Sequence, residues 1–233
     1  MNIDYLQDTY QLNENERTVL TYLDNHSQSL DELTIRHVAK ACFTSPASII
    51  RLSKKLNLSG FNELVYKLKE ASIASPIERE WTPSLQQTEC FVDLLTENEG
   101  NLVAIIGMGF SSHLASFMGE VMNFHYLPNI QTVYTQLLNS RNNQKILFVI
   151  ISHSGEEPSL KKTLELAKCQ GNKVIAFVGT KQSSIAKQSY LVFSTDTFSP
   201  FLTNIAQPQL FFGQTLMVFE YLICSYINSH QNS

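Results

Sequence analysis

Long apolar runs are missing from this sequence of 233 residues, and the longest, Ile146–Ile151, is far too short to cross a bilayer. The amino terminus is acidic and polar rather than basic and then apolar. Neither a secretory leader nor a membrane span is therefore expected, and the protein is expected to be cytoplasmic. Cysteine is scarce and scattered. Cys42, Cys90, Cys169 and Cys224 form no CxxC and no paired spacing, so reduced thiols are expected, with no disulfide framework and no metal site. Internal repeats and low-complexity tracts are absent as well. Charge is sparse at 16%, and the net balance of -4 with a pI near 5.9 argues, for the chain as a whole, against binding nucleic acid. What the chain does have is apolar matter, at 43%. That excludes disorder throughout, and the length suits one large domain or a small one followed by a medium one.

The sequence divides unevenly. Residues 1–75 hold one proline and place apolar side chains at helical spacing, which predicts an all-α domain. Residues 76–84 carry Pro76, Pro83 and Ser84 and read as a linker. Residues 85–233 open on a helical stretch, Leu85–Thr96, and then alternate short β-branched or aromatic runs with helical segments. That alternation predicts an α/β domain. Charge divides too. Between Thr34 and Lys69 the basic residues are Arg36, Lys40, Arg51, Lys54, Lys55, Lys67 and Lys69, with Glu63 the sole acid. An acidic protein thus contains a basic helical stretch.

Within the first domain, spacing predicts helices over Asn13–Asn25, Ile35–Cys42 and Pro46–Leu56, and a fourth from Ser59-Gly60. Ser45 is a good helix cap, and Pro46 suits the first helical position. The third helix turns Ile49, Leu52 and Leu56 inward and leaves Ala47, Ser48, Arg51, Lys54 and Lys55 outside. Two short helices joined by a tight turn, the second capped and basic on its outer face, fit a helix-turn-helix. Small residues at the start of that helix let it enter a major groove, where Ser48 or Arg51 reaches base edges. Lys54 and Lys55 lie further along and meet phosphates. The candidate DNA contacts are Arg36, Ser45, Ala47, Ser48, Arg51, Lys54 and Lys55. A helical subdomain with a solvated basic face is the plain alternative.

The stretch Ser45-Pro46-Ala47-Ser48-Ile49-Ile50-Arg51-Leu52-Ser53-Lys54-Lys55-Leu56-Asn57-Leu58-Ser59-Gly60-Phe61 resembles the N-terminal winged-helix-like DNA-binding domain of RpiR-type regulators. The pattern there is S-x-A-[ST]-[IV]-x-R-[LF]-x-K-K-L-G-[FL]-x-G-[FY]. Asn57 stands where the family usually has glycine. Asparagine is the next best residue for a left-handed helix end, so the departure is mild.

In the second domain the strand candidates are Leu102–Ile106, Ile130–Tyr134, Ile146–Ile151, Val174–Val178 and Leu191–Ser194. Their near-continuous apolar character predicts a parallel sheet buried on both faces, a three-layer doubly wound architecture. Its ligand crevice would lie at the strands' carboxyl ends. A helix over Ser112–His125 and a long apolar one over Gln207–Ser229 are expected. The latter would pack on its own sheet or in a dimer interface. Two strand ends carry polar loops, Gly107-Met108-Gly109-Phe110-Ser111-Ser112 and Ser152-His153-Ser154-Gly155-Glu156-Glu157-Pro158. The first is no dinucleotide fingerprint, because the third glycine of GxGxxG falls at Ser112 and no ribose acid follows. No cofactor is expected. Glycines, hydroxyls and helix N-termini can together hold a phosphate without lysine.

These two loops resemble those of the SIS (sugar isomerase) domain, where G-x-G-x-S and [IV]-S-x-S-G-x-T flank a sugar phosphate; Gly179–Ala186 is similar to a later segment of it. The resemblance implies phosphate donors at Ser111, Ser152 and Ser154, with Ser112 beside them and Gly107, Gly109 and Gly155 shaping the loops. Glu157 replaces the family's usual Thr or Ser. Three outcomes stand open: phosphate binds with Glu157 turned out, a different sugar derivative donates to Glu157, or the pocket is degenerate. Ser154-x-x-Glu157 also fits a capping box, whereas Pro158 would put Glu157 itself at the cap. A helix-turn-helix followed by a SIS domain is the RpiR architecture. It implies a transcriptional regulator of carbohydrate metabolism that binds operator DNA and senses a sugar phosphate or related metabolite. A homodimer or dimer of dimers is expected, with no membrane partner. An isomerase would need a positioned acid and base. The candidates His113, His153, Glu120, Glu156, Glu157 and Glu220 form no recognisable constellation, so no enzyme is expected.

Overall fold

A computed structural model describes residues 1, 3–26, 30, 33–73, 82–132, 145–200 and 210–231. They fall into two compact units. The first holds α1 (Ile3–Tyr10), α2 (Glu14–Asn25), α3 (Ile35–Ala41), α4 (Pro46–Lys55) and α5 (Phe61–Ile73), with no strand among its described residues. The expected helices are all present within a residue or two; Cys42 caps α3 rather than ending it. The sequence reading missed α1, which buries a single side chain, Leu6, too little to set up a periodic signal. One apolar core unites the helices through Leu20, Leu23, Val38, Ile49, Leu52, Leu64 and Leu68. Burying each such side chain contributes about 1.5–3 kcal/mol.

The ends of these helices are chemically specified. Asn13 and Glu16 form a reciprocal capping box at the start of α2. Ser45 caps α4, with Pro46 in its first turn. After α4 the chain reverses through Asn57 at φ +62°, the left-handed position anticipated for it.

The second unit contains α6 (Leu85–Glu97), β1 (Leu102–Gly107), α7 (Ser111–Phe124), β2 (Asn129–Gln131), β3 (Ile146–Ser152), α8 (Pro158–Cys169), β4 (Val174–Val178), α9 (Ser184–Gln188), β5 (Leu191–Ser194) and α10 (Leu210–Gln231). The five strands pair in parallel in the order β2-β1-β3-β4-β5. Alternate side chains of each strand serve opposite faces. Val103, Ile105, Leu147, Val149, Ile151, Ile175 and Phe177 pack with residues of α6, α7 and α10. Ala104, Ile106, Phe148, Ile150, Val174, Ala176 and Val178 pack with α8 and α9. Three layers result, as the doubly wound reading requires. Of the second expected strand, residues 133–134 lie outside the described residues, as do 207–209 of the last expected helix and 76–81 of the expected linker.

By length and composition alone, α10 is apolar enough to cross a membrane, against the expectation from short apolar runs. The run-length test missed it because Gln214, Glu220, Ser225 and Asn228 interrupt the sequence. Its apolar content has a local explanation. Phe211, Phe219, Leu222, Ile223 and Tyr226 are buried in the core that α10 shares with α6 and α7. Met217 and Tyr221 stay exposed.

Asn57 generates a stability prediction. In the left-handed region a side chain with a plain Cβ costs about 1–2 kcal/mol, which asparagine partly avoids. Asn57→Ala is expected to lower the stability of the helical unit by about 1 kcal/mol, and Asn57→Gly to leave it equal or higher, as read by urea denaturation.

Candidate functional site

Two surfaces gather the residues singled out in the sequence, one in each unit. In the first, the Ser45 side chain accepts from the Ser48 N–H at 3.1 Å, and the two hydroxyl oxygens lie 2.9 Å apart. Arg51 Nη2 donates to Ser48 Oγ at 3.1 Å. A polar chain, Ser45-Ser48-Arg51, thus runs along the first turns of α4. Beneath it Ile49 and Leu52 are buried, and the Ser53 hydroxyl donates to the Ile49 carbonyl at 3.0 Å. Arg36, Lys40, Ala47, Arg51 and Lys54 are exposed.

Lys55 is placed differently. Its Nζ donates to Glu16 Oε2 at 2.7 Å and to the Gln11 carbonyl at 3.0 Å. Burial raises the Glu16 carboxyl, but the bonds from Lys55 and the Asn13 N–H outweigh this and leave it below the usual carboxylate range. Lys55 therefore ties α4 to the start of α2 and is less free than Lys54 to meet a phosphate. Spacing put both lysines outside; only the tertiary structure shows that one has a partner.

In the second unit the strand order reverses between β1 and β3, which places a crevice at their carboxyl ends. Gly107 pairs in register with Ile151, so the two serine loops leave the sheet side by side. Close approaches shape both loops. A Cβ at Gly107 would run into the Ser111 backbone, and one at Gly155, where φ is +66°, into the Ser183 side chain. The cleft between the loops is about 280 Å³ in volume. Ser111, Ser152, Ser154 and Glu157 line it together with Met108, Phe110, Ile151, His153, Leu160, Phe198 and Phe212. No lysine or arginine is among these.

The hydroxyls differ in their engagement. Ser152 Oγ accepts from the Gly155 N–H at 3.1 Å and Ser154 Oγ from the Glu156 N–H at 3.2 Å, which leaves each hydroxyl proton to be donated elsewhere. Ser111 opens α7 and is buried at the cleft wall. Ser112, by contrast, donates to the Gly109 carbonyl at 2.7 Å and does not line the cleft. Glu157 is the cap residue of α8, yet its side chain makes no capping bond. The capping-box reading is thereby corrected. The helix begins at Pro158, which puts Glu157 rather than Ser154 at the cap, and Ser154 bonds the Glu156 N–H instead. Glu157 is among the residues that line the cleft.

Of the six acid–base candidates, His113, Glu120 and Glu220 are exposed on helices outside the cleft lining. Glu156 is occupied, accepting from the Ser184 N–H at 2.6 Å and from Lys161 Nζ at 3.1 Å, and so joins the α8 loop to α9. Only His153 and Glu157 reach the cleft. His153 stacks on Phe211 at 4.8 Å and meets Phe198 edge-on at 5.2 Å. Phe110 in turn lies edge-on to Phe212. This aromatic wall was half legible. Met108 and Phe110 sit within the first serine loop, but Phe198 and Phe212 arrive from distant segments with no local signal.

Burial lowers His153 from 6.5 to about 4, the opposing hydrogen bond to the Thr197 backbone notwithstanding. Between these values the unfolded chain binds the proton and the folded one does not. Stability from this source is full above pH 6.5 and is lost as pH falls towards 4, by on the order of 2–3 kcal/mol. His153→Asn should flatten that part of the pH–stability curve, as thermal melts between pH 4 and 7.5 would show.

Comparison with known proteins agrees with this geometry. The family model for the helix-turn-helix domain of the rpiR family matches residues 3–75, and that for the SIS domain matches residues 98–219. The HTH-type transcriptional regulator GlvR of Bacillus subtilis is 28% identical over 200 residues, covering 76% of this chain and 75% of that protein. In fold, the chain is similar to the Vibrio vulnificus NanR protein complexed with ManNAc-6P, with a TM-score of 0.56 and 17% identity over 100% of this chain and 93% of that one. It is also similar to the sugar isomerase domain of an RpiR transcription factor from Sphaerobacter thermophilus, with a TM-score of 0.50 and 15% identity over 72% of this chain and 89% of that one. With the amino-terminal helices matched by one model and the parallel-sheet unit by the other, the chain belongs to the RpiR-type family of DNA-binding transcriptional regulators that carry a SIS domain.

Proposed function

We propose that this regulator controls carbohydrate metabolism by sensing a sugar phosphate in the cleft at the carboxyl ends of β1 and β3. The observation that carries this is the convergence of three serines on one crevice. Ser111, Ser152 and Ser154 line it at the openings of α7 and α8. Donor hydroxyls beside the N-terminal end of α8 suit a phosphate, whereas the first N–H groups of α7 are already taken by the Met108, Gly109 and Phe110 carbonyls. Glu157 shares that cleft and works against a dianion, which favours an effector whose sugar hydroxyls can donate to the carboxylate. A monoanionic or weakly held phosphate ester meets both demands.

On the DNA side, α4 enters the major groove, with Ser45, Ala47, Ser48 and Arg51 at base edges and Arg36 and Lys54 at phosphates. The protein acts as a homodimer or a dimer of dimers in the cytoplasm, on half-sites about one helical turn apart or a multiple of it. Effector binding biases operator affinity by about 1–3 kcal/mol, reciprocally. The role is regulatory rather than catalytic, a reading supported by the match to the rpiR helix-turn-helix model and by the similarity to a transcriptional regulator. A coupled ketose–aldose assay over common sugar phosphates tests this, and robust turnover would overturn it.

Two further outcomes are expected. Glu157→Thr should raise affinity for sugar phosphates about tenfold by calorimetry, whereas Ser152→Ala should lower it; unchanged binding in both variants would sink the assignment. Lys54→Ala should weaken binding to every duplex and reduce the salt slope by about 1. Lys55→Ala, whose ammonium is already paired with Glu16, should change the slope less.

A further inference from the structure

Phe43 has the highest exposure, 99%, of the large apolar side chains exposed among the described residues. Its φ is +52°, in the left-handed region that a bulky side chain rarely adopts. The turn holding it is well bonded: the Phe43 N–H donates to the Lys40 carbonyl at 3.3 Å and the Thr44 N–H to the Ala39 carbonyl at 2.9 Å. Glycine or asparagine would make the same turn without strain and without a ring in water. Two unfavourable features thus coincide at one residue, which is the mark of a functional position rather than a packing one.

The place of that residue narrows the partner. Phe43 lies between α3 and α4, two positions before the Ser45 cap, at the end of α4 that a helix-turn-helix presents to base edges. Lys40 precedes it, Arg51 and Lys54 follow, and no acidic residue occurs between Thr34 and Lys55. An exposed aromatic ring in a stretch of sequence that carries cations and no carboxylate fits a polyanion. In the major groove, the apolar group that base edges offer is the C5-methyl of thymine. Resting on the DNA-binding reading above, we infer that Phe43 reads a thymine by packing on its C5-methyl, beside the bases met by Ser48 and Arg51.

The test uses the full chain. Wild-type protein first selects its preferred sites from a pool of random-sequence duplexes. Deoxyuridine then replaces each thymine of the selected duplex in turn, which removes only the methyl group. At one thymine per half-site, wild-type affinity is expected to fall about fourfold, the worth of one buried methyl. Phe43→Ala should bind about tenfold more weakly and no longer distinguish thymine from uracil there, with its salt slope unchanged because no charge is lost. Phe43→Gly, which relieves the strained backbone, should show the same indifference while melting no lower than wild type. Equal uracil penalties in wild type and both variants at every position would overturn the contact while leaving DNA binding intact. Loss of oligomeric mass in Phe43→Ala by light scattering, with the uracil response retained, would assign the ring to a subunit interface and overturn it as well. If wild type enriches no duplex, the DNA-binding reading itself fails and this inference with it.

Discussion

The pairing of β1 with β3 at the centre of a parallel sheet is the contact on which the sensor unit depends. Residues from Leu102 to Gly107 run in register with Ile146 to Ile151, and both strands are buried almost throughout. Two loops with no contact in sequence are thereby delivered to the same edge within reach of a single small ligand. The parallel direction matters. It places both strand ends, and the openings of the helices that follow them, on one side, so that both serine loops line one crevice.

The cleft that this arrangement creates has no lysine or arginine in its lining, and Glu157 is its most informative member. Glu157 stands at the cap position of α8 without a capping bond. Glu156, its neighbour, is fully engaged by Ser184 and Lys161. Two adjacent carboxylates therefore have different roles. One joins the loop to α9; the other is among the residues that line the cleft.

The helical unit follows a similar economy of contacts. Ser45, Ser48 and Arg51 form a hydrogen-bonded series on the outer side of α4, while Ile49 and Leu52 hold its inner side. Lys55 bridges to Glu16, so the angle between α4 and α2 is held by charge as well as by the apolar core. Among the described residues of this unit Phe43 is the most exposed large apolar side chain, with Tyr66 and Ile50 less so.

Much of this was legible from sequence because it rests on short-range rules. Helical periodicity, Ser45-Pro46 as a helix start, Asn57 as a left-handed end and short apolar strands are all local, and they fall where they were read except that the second strand is Asn129–Gln131. The serine loops were legible too, since a loop after a buried parallel strand has only the carboxyl edge to occupy. Long-range partnerships were not. Nothing near Lys55 announces Glu16, nothing near His153 announces Phe198 or Phe211, and nothing in Ser111-Ser112 says which hydroxyl faces the cleft. α1 escaped because one buried leucine makes no period. The sequence by itself determined most of the elements, the family and the chemistry available at each loop. The tertiary structure decided which of those groups meet, because a side chain's partner depends on strand order and helix packing that bring together residues more than thirty positions apart.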